Sequence, residues 1–232
     1  MPRAVVGVDI ETVGQDWESL SPQVQTYLSG AAKGEPDVDA AKDKLSLHAA
    51  TGRIVAIGLW DLDTSRGRVL IDGAPAAGWA TFGEDAQVFR GPEAALVREF
   101  WGVVERESPL IVTFNGRAFD APYLMLRSAI LGVPPSRNLM GPRYHLGNHC
   151  DLYDVLTFWN ASRMRGGLEL WCCQFGLPSP KNGIRGGDVG ALYREGRLDE
   201  IARYCLDDAR ATALLYDRLR PIISILDTGT TL

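Results

Sequence analysis

The chain has 232 residues, 46% of them apolar and 23% charged, with 25 glycines and 13 prolines. That is enough material for one sizeable core, and it excludes collagen-like and disordered compositions. A formal net charge of −5 excludes a protein that grips nucleic acid by bulk electrostatics, but not one that grips it through bound metal.

No window approaches about eighteen consecutive apolar residues, and Asp9 interrupts the first apolar run before a signal-peptide core can form. The expectation is a cytoplasmic protein with no membrane span. Cys150, Cys172, Cys173 and Cys205 form no CxxC pair, so reduced, mostly buried thiols are expected rather than a zinc site or a disulfide framework.

In chain order, residues 5–10 form a β-rich apolar run, and 13–50 follow as an insertion containing Trp17, Pro22, Gly30, Gly34 and Pro36, with helical stretches at 22–28 and 38–47. Strands are predicted at 53–60, 68–71 and 110–114, with a short one near 149–152. Residues 93–106 place Leu96, Val97, Phe100, Trp101 and Val104 at helical spacing; 122–131 and 168–175 look similar, and a long helix covers 198–219. The proline- and glycine-rich stretch 132–148 reads as a surface loop. These elements predict a single α/β domain over 1–232: a mixed sheet with an antiparallel hairpin side and a parallel side, flanked by helices. The insertion reads as a lid, and 221–232 as a tail.

Acidic residues occur at the ends of core elements. Along the first strand, Val6, Val8 and Ile10 share one face and Gly7, Asp9 and Glu11 the other. An unpaired carboxylate there is expensive to desolvate unless a cation or donor meets it, or unless the chain has already left the sheet. Asp120 follows the strand-turn sequence Thr113-Phe114-Asn115-Gly116 with Pro122 two residues on, which is where a helix cap sits. It is also the crevice where open α/β sheets place their sites. On the last helix, with Cys205 on the apolar stripe, Asp208 lies at about −60° and Tyr204 at about −100°, on the rim, whereas Asp207 lies at about 200°. Asp208 is therefore expected half-buried beside Tyr204, and Asp207 in solvent. Four carboxylates in one cavity would repel one another except around divalent cations, and all-oxygen ligands favour Mg²⁺ or Mn²⁺. Two such ions would suit phosphoryl transfer.

The motifs Asp9-Ile10-Glu11-Thr12, Asn115-Gly116-Arg117-Ala118-Phe119-Asp120 and Tyr204-Cys205-Leu206-Asp207-Asp208 occur in this order on a strand, a strand-to-helix turn and a helix. Together with the stretches 150–156, 174–181 and 188–201, they make the sequence resemble the tyrosine-containing (DEDDy) branch of the DEDD 3′–5′ exonucleases. The resemblance is to stand-alone bacterial proteins similar to the proofreading domain of family-B DNA polymerases, and it covers about residues 4–220. It implies a ribonuclease H-like fold and two divalent cations held by Asp9, Glu11, Asp120 and Asp208, with Tyr204 hydrogen-bonding the attacking water. With an ordinary pKa near 10, Tyr204 orients rather than deprotonates.

The resemblance further implies single-stranded DNA 3′ ends as substrate, with RNA 3′ ends or a catalytically inactive binding module as alternatives, and leaves room for a polymerase or repair partner. Thr12, Asn115, Phe119, Arg117 and Lys181 are candidate nucleic-acid contacts, although Phe119 serves a core role equally well. Between Gly132 and Gly187, six Lys/Arg face three acids, a modest basic patch within an acidic chain. His145 and His149 have no evident partner and read as loop or cap residues, and Asp151 and Asp154 read as capping residues, or as residues supporting the metal ligands from behind, near the sheet edge.

Overall fold

The computed structural model describes residues 3–30, 35–163, 165–179 and 183–227. Strands β1 (Val5–Gly14), β2 (Gly52–Asp61), β3 (Arg66–Asp72), β4 (Ala80–Phe82), β5 (Ala86–Gly91), β6 (Leu110–Thr113) and β7 (His149–Asp151) form one sheet in the order β4-β5-β3-β2-β1-β6-β7. The β1–β2, β2–β3 and β4–β5 pairs are antiparallel; β3–β5, β1–β6 and β6–β7 are parallel. The expected mixed sheet is present, and β4 and β5 extend it beyond the sequence reading.

Helices are α1 (Pro22–Leu28), α2 (Val38–Lys44), α3 (Glu93–Glu107), α4 (Asp120–Ile130), α5 (Leu152–Leu156), α6 (Leu168–Gln174), α7 (Val189–Arg194) and α8 (Leu198–Asp227). The alternation of β1 is realised. Val6, Val8 and Ile10 join Leu96, Phe100, Trp101 and Leu124 beneath α3 and α4. The opposite face meets α8, whose Cys205, Ala209 and Ala213 pack over Val55, Ala56 and Trp60, while Leu215 and Leu219 pack over Val5 and Val112.

That close approach is possible because the sheet offers glycines. A Cβ on Gly7 would lie 2.2 Å from the Ala209 carbonyl oxygen, and one on Gly58 would lie 2.6 Å from that of Cys205. The helix also corrects one expectation: it does not stop before residue 221 but runs through Pro221 to Asp227, burying Ile223 in the same core as Leu219. A proline removes one hydrogen bond, and continued burial of the apolar stripe offsets that cost.

Two ties fix the framework around β1. Glu93 and Arg127 are buried and joined by two hydrogen bonds of 2.8 and 2.6 Å. Glu93 also accepts the Ile54 N–H, and Arg127 donates to the Ala49 carbonyl, so α3, α4, β2 and the end of the insertion meet there. The insertion has a small core of Trp17, Ala41 and Leu45, and its Ser46 carbonyl accepts both the Thr12 hydroxyl (2.8 Å) and the Tyr123 hydroxyl (3.1 Å). All four cysteines are free, and among the described residues no helix is long and apolar enough to cross a membrane.

His149, at the start of β7, is buried between the Leu139 carbonyl, 3.0 Å from Nδ1, and the Thr113 hydroxyl, 2.7 Å from Nε2. A carbonyl can only accept, so Nδ1 carries the proton and Nε2 accepts from Thr113, which makes the ring neutral. Burial is the main reason its pKa falls from 6.5 to about 4. The unfolded chain therefore takes up this proton first as the pH drops, so the stabilisation is complete above pH 6.5 and is lost towards pH 4. Between pH 7.5 and 5, urea unfolding should show the wild type losing about 2 kcal/mol more than His149→Gln, whose side chain does not titrate.

Candidate active site

The parallel strands β1, β6 and β7 end at one edge of the sheet, and the sequence places an acid at or just beyond each end. Pairing of β1 with β6 stops at Gly7↔Val112, and its register with β2 shifts between Glu11 and Thr12. Past that last pair, the Ile10 N–H is taken by Asp120 Oδ1 at 3.1 Å. This revises the capping reading of Asp120. Phe119 occupies the cap position without a side-chain cap bond, and Asp120 is the first helical residue, its carboxylate turned back onto β1.

From the other face, α8 contributes Tyr204 and Asp208, one turn apart and close enough for the Asp208 charge to act on the phenol. Cys205 lies between them against the sheet, its thiol 3.4 Å from the Asp9 carbonyl oxygen. Asp9, Glu11 and Asp208 each bring a carboxylate oxygen within 4.8 Å of the others. Asp120 stands beside this trio, close enough for its charge to act on Asp9 and Glu11, but its oxygen is not among the three. Asp207, expected in solvent, is half-buried like Asp208, yet it stays outside the cluster.

The electrostatics are dominated by burial and by like charges. Burial pushes Asp9 well above the usual carboxylate range, and the charges of Glu11, Asp208 and Asp120 add to the effect. Glu11 is raised for the same reasons, burial first and then Asp208 and Asp120. Asp120 rises to about 7, chiefly through burial, with the Asp151 and Asp208 charges adding and backbone N–H donors opposing. Burial and the neighbouring Asp208, Glu11 and Asp9 push the Tyr204 phenol well up, so it keeps its proton. Among the described residues, Asp9 Oδ2 is buried with no hydrogen-bond partner. An orphaned carboxylate oxygen amid like charges is what a divalent cation would satisfy, and the all-oxygen donor set fits Mg²⁺ or Mn²⁺.

Asp151 emerges as a structural centre that the sequence reading left as a cap. It does cap α5 through the Tyr153 N–H, and it also accepts the N–H groups of Asn115 and Arg117, both at 2.8 Å. One buried carboxylate thus holds the turn that carries Asn115, whose φ of 63° is left-handed, and leads to Asp120. The only sequence signal was an acid at the end of a short apolar strand.

The candidate nucleic-acid contacts are spread out. Asn115 is exposed on its turn, and Phe119 is half-buried against Tyr123, ring centres 5.3 Å apart. The Thr12 hydroxyl is committed to Ser46. The Arg117 guanidinium donates to the Gly141 carbonyl and lies 3.8 Å from Asp154, so it braces the 132–148 loop. Lys181 lies outside the described residues.

Residues 48–230 match a protein family described as a predicted 3′–5′ exonuclease related to the exonuclease domain of PolB. Similar sequences include a DNA polymerase of Desulfurococcus sp. (strain Tok), 29% identical over 141 residues, and one of Pyrococcus glycovorans, 28% identical over 141 residues. Each match covers 52% of this chain and 17% of the relative, so the chain spans about a sixth of the polymerases it matches. The family B DNA polymerase of Pyrobaculum calidifontis superposes with a TM-score of 0.62 at 22% identity, covering 98% of this chain and 27% of the polymerase, which establishes the likeness of fold.

Proposed function

The chain belongs to the family of predicted 3′–5′ exonucleases related to the exonuclease domain of PolB, and we propose that it removes nucleotides from the 3′ end of single-stranded DNA by two-metal-ion hydrolysis. The observation that carries this reading is the unpartnered Asp9 Oδ2 within a trio of carboxylates that repel one another unless a cation joins them. Asp9, Glu11 and Asp208 would hold two divalent cations, Mg²⁺ or Mn²⁺, with Asp120 completing the set. When bound, such cations stabilise the attacking and leaving oxygens of an in-line displacement.

The chain's own residues do the positioning. Tyr204 keeps its proton beside Asp208, so it would orient the attacking water by hydrogen bonding rather than act as a base. Asp120 anchors β1 through the Ile10 N–H, and its other oxygen would complete the cation's ligands. Asn115, exposed on its turn, would hydrogen-bond the terminal sugar or phosphate. The polymerase relatives favour DNA over RNA.

The test uses 5′-labelled DNA and RNA oligonucleotides, with free and blocked 3′ ends, incubated with Mn²⁺ or Mg²⁺ and with chelator. A ladder shortening from the free 3′ end is expected on DNA, absent with chelator and absent in Asp208→Ala. Equal digestion of 3′-blocked DNA would overturn the directional claim, and faster digestion of RNA would reassign the substrate.

A further inference from the structure

We infer that the turn following α5, with the loop beside it, is a stacking platform for single-stranded DNA on the 5′ side of the nucleotide being removed. This rests on the nuclease reading of the carboxylate site. Phe158, Trp159 and Asn160 are three consecutive non-glycine residues with left-handed backbones, φ of 48°, 53° and 71°. L-residues enter that region at a cost and persist there only where surrounding bonds over-determine the fold.

Those bonds are present. The buried Thr157 accepts the Asn160 N–H on its hydroxyl and the Ser162 N–H on its carbonyl. The Trp159 N–H reaches the Asp154 carbonyl, and its indole N–H donates to the Arg143 carbonyl at 3.1 Å. What this framework holds up is an aromatic surface. Phe158 is 51% exposed and Tyr144 64% exposed, with the Tyr144 ring edge-on to Trp159 at 5.2 Å.

Charge selects the occupant. Arg143, Arg163 and Arg165 are exposed on this stretch; of its acids, Asp151 and Asp154 are buried and engaged by backbone N–H groups and by arginines, and Glu169 is exposed. Between residues 143 and 169, three exposed arginines thus stand against one exposed acid. Aromatic faces among arginines match the alternation of bases and phosphates along a single strand.

Position ties the platform to the reaction. Arg165 donates to the Tyr153 hydroxyl and to Asn160 Oδ1, and the Tyr153 ring meets Phe114 edge-on at 5.9 Å, next to the Asn115 turn. Arg117 on that turn faces Asp154, which Arg143 also approaches at 3.4 Å. The platform is thus continuous with the turn leading to Asp120, and a strand with its 3′ end at the carboxylates and its body leaving past Asn115 crosses it.

Fluorescence anisotropy of a 5′-labelled 12-mer oligo(dT) with chelator present reads binding without turnover. Phe158→Ala and Tyr144→Ala should each weaken Kd by about fivefold or more, as expected for loss of one stacked base, and Phe158→Trp should restore it. Tyr27→Ala, a still more exposed ring on α1, should stay within twofold, and unchanged melting temperatures would show that the variants fold. Kd within twofold of wild type in both Phe158→Ala and Tyr144→Ala, or a wild type that does not bind the oligonucleotide, would overturn the platform. Hydrolysis is scored separately with Mn²⁺. A binding loss in a protein that never shortens DNA would sink the nuclease reading and leave the platform standing.

Discussion

Asp9→Asn is expected to abolish nuclease activity, by at least about 10³-fold, and at the same time to make the metal-free protein more stable. The two effects have one cause. Asp9 Oδ2 is buried without a partner beside Glu11 and Asp208, so folding without a cation forces like charges together away from water. An asparagine amide at that position is neutral and can donate to the neighbouring carboxylates. Relief of about 2 kcal/mol, roughly 4–8 °C in melting temperature for a chain of this size, is a reasonable magnitude.

The pH dependence has a definite sign. Asp9, Glu11 and Asp120 all have raised folded-state pKa values, so the native state binds more protons than the unfolded chain. Their contribution is present at low pH and is lost as the pH rises, through about 7 for Asp120. With chelator, wild type should melt at a lower temperature at pH 8 than at pH 6, and the decline should be shallower in Asp9→Asn. Saturating Mn²⁺ should raise the wild-type value at pH 8 and leave Asp9→Asn nearly unmoved. A metal-free Asp9→Asn no more stable than wild type would show that the carboxylates are already compensated.

Much of this site was legible in the sequence because it rests on two periodicities. A period of two on β1 put Asp9 and Glu11 opposite Val6 and Val8, and 100° per residue on α8 put Tyr204 and Asp208 side by side. The rest depends on tertiary context. Strand β5 alternates only briefly, with Gln87 and Arg90 interrupting it, and forms because β3 offers an edge to pair with; β4 has three residues and forms on the edge that β5 then offers. Asp207 is half-buried, a depth that the wheel of an isolated helix does not contain. The three-way role of Asp151 was unreadable because its partners, Asn115 and Arg117, lie more than thirty positions away. The continuation of α8 past Pro221 is a local rule overridden by burial of Ile223.

The glycines facing α8 carried a signal that periodicity alone does not interpret: a residue with no side chain within an otherwise β-rich apolar strand marks close backbone approach. Gly7→Ala makes this testable. The new Cβ would lie 2.2 Å from the Ala209 carbonyl oxygen and 2.9 Å from the Ala213 Cβ, and the first of these is backbone that cannot rotate away. The helix must therefore lift by roughly 1 Å to reach ordinary contact distance, and overpacking of this kind costs about 1–3 kcal/mol or more. The displacement acts at Ala209, the residue next to Asp208, and two residues along β1 from Asp9, so it moves one wall of the site relative to the other. A misplacement of about 1 Å is worth up to about 10²-fold in rate. Gly7→Ala should thus lower kcat by about that factor while the protein remains folded at 20 °C, and the Mn²⁺ concentration for half-maximal activity should rise. Wild-type kcat in a folded Gly7→Ala protein would mean that the spacing between helix and strand does not set the geometry of the carboxylates.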